Sequence, residues 1–89
     1  MRGQPVARKV SVDGRWAYTL YARQKPEPFV HALDTVEGEA YCIDLPLRLG
    51  QLEQMALRLK TRRGGVLEIR RGRSTLAVVD MDKLEVRTN

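Results

Sequence analysis

The chain has 89 residues, 43% of them hydrophobic and 30% charged, with 16 basic against 11 acidic side chains and a formal net charge of +5. A chain this short makes one domain or a piece of one, and it buries only roughly 60–65% of its unfolded surface, so its core is thin. One cysteine (Cys42) excludes an internal disulfide and a zinc site built on cysteine pairs, one histidine (His31) argues against a histidine-built metal site, and no apolar run approaches the roughly 18 residues of a membrane span.

Residues 1–9 carry basic side chains but no apolar stretch of a secretory signal, and they read as an N-terminal tail. If this is the whole chain, a cytoplasmic location is expected. Residues 16–22, WAYTLYA, are a predicted strand in which Trp16, Tyr18 and Leu20 fall on one parity and Ala17, Thr19 and Tyr21 on the other. Aromatic and β-branched side chains suit such a pleated, half-buried surface. The segment 23–28, RQKPEP, holds two prolines and reads as an exposed loop. Residues 29–35 (FVHALDT) and 39–45 (EAYCIDL) are the next strands, joined by a turn at Val36-Glu37-Gly38, and Pro46 ends the second of them.

The middle of the chain supports two readings. Leu49, Leu52, Met55, Ala56 and Leu59 fall at helical spacing, while Met55, Leu57 and Leu59 also alternate with polar or small residues. A loop or short helical turn at 48–54 followed by a strand at 55–61 is preferred over one helix across 49–62. Then come a turn at Arg63-Gly64-Gly65, a strand at 66–70 and a tight turn at Arg71-Gly72-Arg73. The near-continuous apolar strand 75–81 is expected to be central. The last strand, 83–88, points Leu84 and Val86 inward. The expected fold class is all-β and antiparallel, with two blade-like units at 10–47 and 48–89 and a short helix near 49–60.

The two units resemble each other. GRWAYTLY (14–21) aligns with GVLEIRRG (65–72), and VHALDT (30–35) with LAVVDM (76–81), which places Asp34 over Asp80. The offsets are 51 residues from Gly14 to Gly65 and 46 from Asp34 to Asp80. A period of roughly 40–50 residues with several strands per unit is the pattern of propeller blades. SVDGRWAYTLY followed by FVHALDTVEGEAYCIDLP resembles bacterial β-propeller repeats of the YVTN-like and WD-repeat-like kind, and RGRSTLAVVDMDKLEVR resembles the closing strands of such a protein. Val12 stands where proline is common in these repeats, and Met81 where threonine is expected. The resemblance implies about two blades of an architecture that needs at least four. It therefore also implies one of three things: completion by the remainder of a longer propeller, self-association into a homo-oligomer, or a small rearranged β domain, the first two being preferred.

Candidate chemistry is sparse. His31 and Asp34 lie three apart on one strand and face opposite ways, so they make no dyad. Cys42, between Tyr41 and Ile43, reads as a small buried hydrophobe. Asp13, Asp34, Asp44, Asp80 and Asp82 sit at or beside turns and match no calcium loop. No catalytic set, cofactor site or metal site is expected, and no enzymatic activity.

Charge is concentrated in one segment. Residues 55–74 hold Arg58, Lys60, Arg62, Arg63, Arg70, Arg71 and Arg73 against Glu68 alone. These seven are the candidate contacts for an anionic partner, and on a β hairpin from 57 to 71 Arg58, Lys60 and Arg62 share one parity and are expected to form a stripe beside Arg70. Arginine forks suit phosphate, but the segment lacks the aromatics of a stacking platform. The expected function is a structural or binding module with a protein partner and no membrane association. The alternative is a small basic β domain that binds nucleic acid through the arginines of 58–73.

Overall fold

The computed structural model describes residues 3–23 and 27–88, apart from the Gln51 side chain. The loop expected at 23–28 falls partly, at 24–26, outside the described residues. The fold is all-β. Strands β1 (Gln4–Val10), β2 (Trp16–Ala22), β3 (Phe29–Asp34) and β4 (Ala40–Asp44) form a first antiparallel sheet in that order. Strands β5 (Arg58–Arg62), β6 (Val66–Arg71), β7 (Ser74–Asp80) and β8 (Glu85–Thr88) form a second, again in chain order. One short helix, α1 (Gln51–Met55), lies in the connection between them.

Alternation along each strand decides which face is buried. Trp16, Tyr18, Leu20 and Ala22 of β2 are buried while the residues between them are half-buried, as period 2 requires. Val30 and Ala32 pair with Leu20 and Tyr18 and continue the same face onto β3. Leu59, Leu67, Ile69, Ala77 and Val79 make the facing surface of the second sheet, and all belong to one apolar cluster with the first. The sheets thus share a single core, and they approach most closely along β1 and β5.

The connection is anchored at three points. Leu45 and Leu57 are fully buried at its ends. Between them Gln54, also buried, accepts the Arg23 N–H (2.9 Å) and donates to the carbonyls of Arg23 (3.0 Å) and Leu49 (2.9 Å). All three hydrogen bonds of this amide satisfy backbone groups at the end of β2 and the start of the helix.

Both sheets use the same turn device. Asp34 Oδ1 accepts the N–H groups of Val36 (2.9 Å) and Glu37 (3.1 Å), and Asp80 Oδ1 accepts those of Asp82 (3.0 Å) and Lys83 (3.4 Å). The residue after each aspartate then donates to the residue before the preceding strand, Thr35 to the Arg15 carbonyl (2.7 Å) and Met81 to that of Gly65 (2.9 Å). Register pairs Trp16 with Asp34 and Val66 with Asp80. By position in the sheets Gly14 therefore corresponds to Gly64, one residue from the Gly65 chosen by sequence similarity. Both take positive φ, +79° and +81°, which a side chain would strain.

Several expectations change. Residues 4–9, expected as tail, are most of β1, because their N–H and C=O groups pair with β2 across a bulge between Pro5 and Ala7. The single-helix alternative over 49–62 fails, since β5 pairs with β6 from Arg58 onward. Leu84, expected inward, is exposed with φ +52° in the β7–β8 turn; Val86 alone of that pair packs on the core. Cys42 is exposed, because its parity on the edge strand β4 faces away from the core.

Two outcomes test this core. Leu67→Ala, at a fully buried position, should cost about 2–5 kcal/mol in urea unfolding. The second concerns Asp34, whose carboxyl is held below the ordinary carboxylate range by the Arg15 guanidinium, which donates from Nε (3.2 Å) and Nη2 (2.9 Å), and then by the turn N–H groups. A depressed native value stabilises the fold above the unfolded value, about pH 4, and that stability is lost as pH falls through the native value. Asp34→Asn should flatten the acid limb of a Tm-against-pH curve; an unchanged limb would refute this account.

Candidate functional site

Each sheet has one face in the shared core and one turned outward. The outward face of the second sheet carries the basic residues. Arg58, Lys60 and Arg62 alternate along β5, and Arg70 stands opposite Arg58 on β6. Arg87 joins the same face, opposite Val78 on β7. Four of the seven predicted contact residues, Arg58, Lys60, Arg62 and Arg70, are thus brought together. The other three are not. Arg63 sits in the β5–β6 turn and Arg73 in the β6–β7 turn. Arg71 has the opposite parity to Arg70 and pairs with Glu53 of α1 (2.8 Å).

Glu68 lies in the middle of this basic face and was legible only as the lone acid of the segment. Its side chain is buried beneath its neighbours, paired with Arg62 and with Arg70 (3.2 Å) and accepting from the Thr75 hydroxyl (3.1 Å). The pairing takes up two of the four cations. Arg58 donates to the Leu57 carbonyl (3.1 Å). The face is a cross-linked polar layer with a moderate positive excess.

The outward face of the first sheet is different in kind. Register places Val10, Ala17, Leu33 and Ala40 in one row across all four strands, and Arg8, Thr19, His31 and Cys42 in the next. Val10 and Leu33 are 57% and 37% exposed. A shallow groove of about 370 Å³ runs along β1 and β2 between Arg8, Val10, Ala17 and Thr19. A third row, Tyr21 and Phe29, is closed over: the rings stack (5.0 Å between centroids) and Arg23 lies 4.5 Å over the Phe29 ring. Sequence reasoning passed over this surface. The signal was present, since WAYTLY and FVHAL carry no charged side chain on either parity, as in strands covered on both faces.

The matched turns 11–15 and 63–65 lie side by side and enclose a cleft of about 240 Å³ lined by Ser11, Val12, Asp13, Arg62, Arg63 and the two glycines. Asp13 accepts from the Ser11 hydroxyl (2.6 Å) and the Arg15 N–H (3.0 Å), bonds that hold its carboxyl below the ordinary range and make it a turn former. Tyr18 is buried in the core with its hydroxyl unpartnered, and burial, with smaller effects from Asp13 and Asp82, pushes it up to about 12. His31 is half-buried on the outward face of β3, whereas Asp34 is buried beside Trp16, so the two are apart as expected. Among the described residues no group of three His, Cys, Asp or Glu side chains is placed to hold a metal ion. Asp44 pairs with Arg23 (2.6 Å).

The chain matches no protein-family model, no curated protein and no solved structure.

Glu68→Ala should lower stability by about 1–2 kcal/mol, since it removes the buried carboxylate that Arg62, Arg70 and Thr75 share. Tyr18→Phe should leave urea stability unchanged or raise it by up to about 1 kcal/mol, because the lost hydroxyl is buried without a partner. A clear loss in the Tyr18 variant would show that the hydroxyl is hydrogen-bonded.

Proposed function

We propose that the chain is a non-catalytic structural and binding module, a pair of propeller-blade-like sheets that assembles with further protein. One observation carries this reading. The face of the second sheet that the first sheet covers has its positional counterpart on the first sheet, and there it stands open and nearly uncharged. In a propeller each blade covers the next with the opposite face, so an open counterpart face is where a further blade would lie.

Three features support the blade comparison. The sheets have equal strand order, their aspartate turns are built alike, and their first strands are closest together. The repeat resemblance of the sequence points the same way. The charged outward face of the second sheet suits the water-facing side of a terminal unit.

A second reading is nucleic-acid binding through Arg58, Lys60, Arg62 and Arg70, favoured by their common face. Glu68 weakens it by occupying two of them, and residues 48–89 contain no aromatic side chain for stacking.

Sedimentation velocity from about 1 to about 500 µM should show mass growing beyond the 10.2 kDa monomer as concentration rises. A monomer throughout would overturn self-assembly. For the second reading, labelled single-stranded and duplex DNA at low salt should show no binding; salt-sensitive binding lost in Arg58→Ala with Arg70→Ala would replace the module reading with it.

A further inference from the structure

The open face of the first sheet has a composition that fits a copy of itself. We propose that two copies of this chain dock face to face through it, related by a two-fold axis running along the strands between β2 and β3. The proposal rests on the module reading for the open face and departs from blade succession in its occupant, the same face of a second copy.

Such an axis lays β1 of one copy over β4 of the other, and β2 over β3, while each cross-strand row stays level. In the exposed apolar row it places Val10 over Ala40 and Leu33 over Ala17, so each larger side chain meets a smaller one. The same match recurs on both sides of the axis, as an isologous contact demands. Interdigitation of this kind is what facing sheets need to pack.

Charge agrees with shape. Among the described residues the face carries Arg8 and Asp44 on opposite edge strands, and Arg23, which lies over Phe29 and already pairs with Asp44 (2.6 Å). The axis carries Arg8 over Cys42, two residues along β4 from Asp44, a separation of about 7 Å that an arginine side chain spans. Asp44 is 67% exposed at its side chain and keeps acceptor capacity beside its pair with Arg23. Two such pairs form per dimer. The other outward face, with Arg58, Lys60, Arg62 and Arg70, would repel its own copy and does not complement an apolar row.

The area sets the strength. Four strands about 4.8 Å apart and a few residue pairs long give on the order of 400 Å² per copy, about half of a standard interface. The dimer is therefore weak and concentration-dependent.

The test is sedimentation of the whole chain and of its single and double variants, each checked for folding by circular dichroism. Leu33→Asp should weaken the dimer at least about tenfold, and Leu52→Asp, at a position 87% exposed on α1, should leave it unchanged. Arg8→Gln and Asp44→Asn should each weaken it, and the two together no further than either alone. That non-additivity keeps the test decisive even where Leu33→Asp is poorly folded. A dimer indifferent to Leu33→Asp and to both charge variants overturns this surface and leaves self-assembly standing. A monomer at every concentration overturns both. Open-ended growth overturns the two-fold. Oxidation separates the remaining arrangement: the axis puts the two Cys42 residues on opposite margins of facing sheets, offset by about 14 Å across the strands and about 10 Å between the sheets, so no disulfide forms. Efficient cross-linking through Cys42 would place β4 edge to edge and refute the facing arrangement.

Discussion

Two sheets share one core here, and everything else follows from how their faces alternate. A strand has only two sides, so a residue committed to the core commits its neighbours to the outside. Trp16, Tyr18 and Leu20 fix the inward face of the first sheet, and Leu67, Ile69 and Val79 that of the second. The outward faces are what remains, and they differ sharply. One is a salt-bridged polar layer around Glu68, and the other a nearly uncharged surface from Val10 to Ala40. The functional reading is a reading of that difference.

The core is held in register by small polar devices rather than by more apolar area. Asp34 closes its turn through two backbone bonds and ties Arg15 across it. Gln54 fastens the connecting segment to the end of β2. Both side chains are buried and satisfied, so they specify where the sheets begin and how the crossing segment lies. Leu45 and Leu57 then fill the space on either side of that segment.

Much of this was legible in the sequence. The period-2 pattern of 16–22 names the buried face of β2 correctly, the Gly and Asp turns mark the hairpins, and seven of the eight strands are placed by composition. The eighth, β1, was not, because QPVARKV contains a proline and three polar or basic residues and lacks alternation. It is an edge strand beside β5 with mostly exposed side chains, and pairing with β2 rather than burial makes it a strand. Leu84 misled for a similar reason: the turn needed a residue there, and hydrophobicity alone does not say that its backbone is left-handed. At the basic cluster, hairpin parity picks out the stripe of Arg58, Lys60 and Arg62 beside Arg70 correctly, while Arg63, Arg71 and Arg73, grouped with them by sequence proximity, fall in turns or on the other parity.

The strand order also bears on how the molecule reaches this state. Every paired strand is next to its partner in sequence, so both sheets can grow by zipping successive hairpins. Local pairing of this kind favours rapid formation. Yet a finished sheet on its own would expose the whole apolar face that its neighbour covers. The remaining long-range step is the closure of the segment 45–57, which brings β5 against β1. Neither half is expected to persist without the other, and the chain should fold as one cooperative unit despite its two-part design.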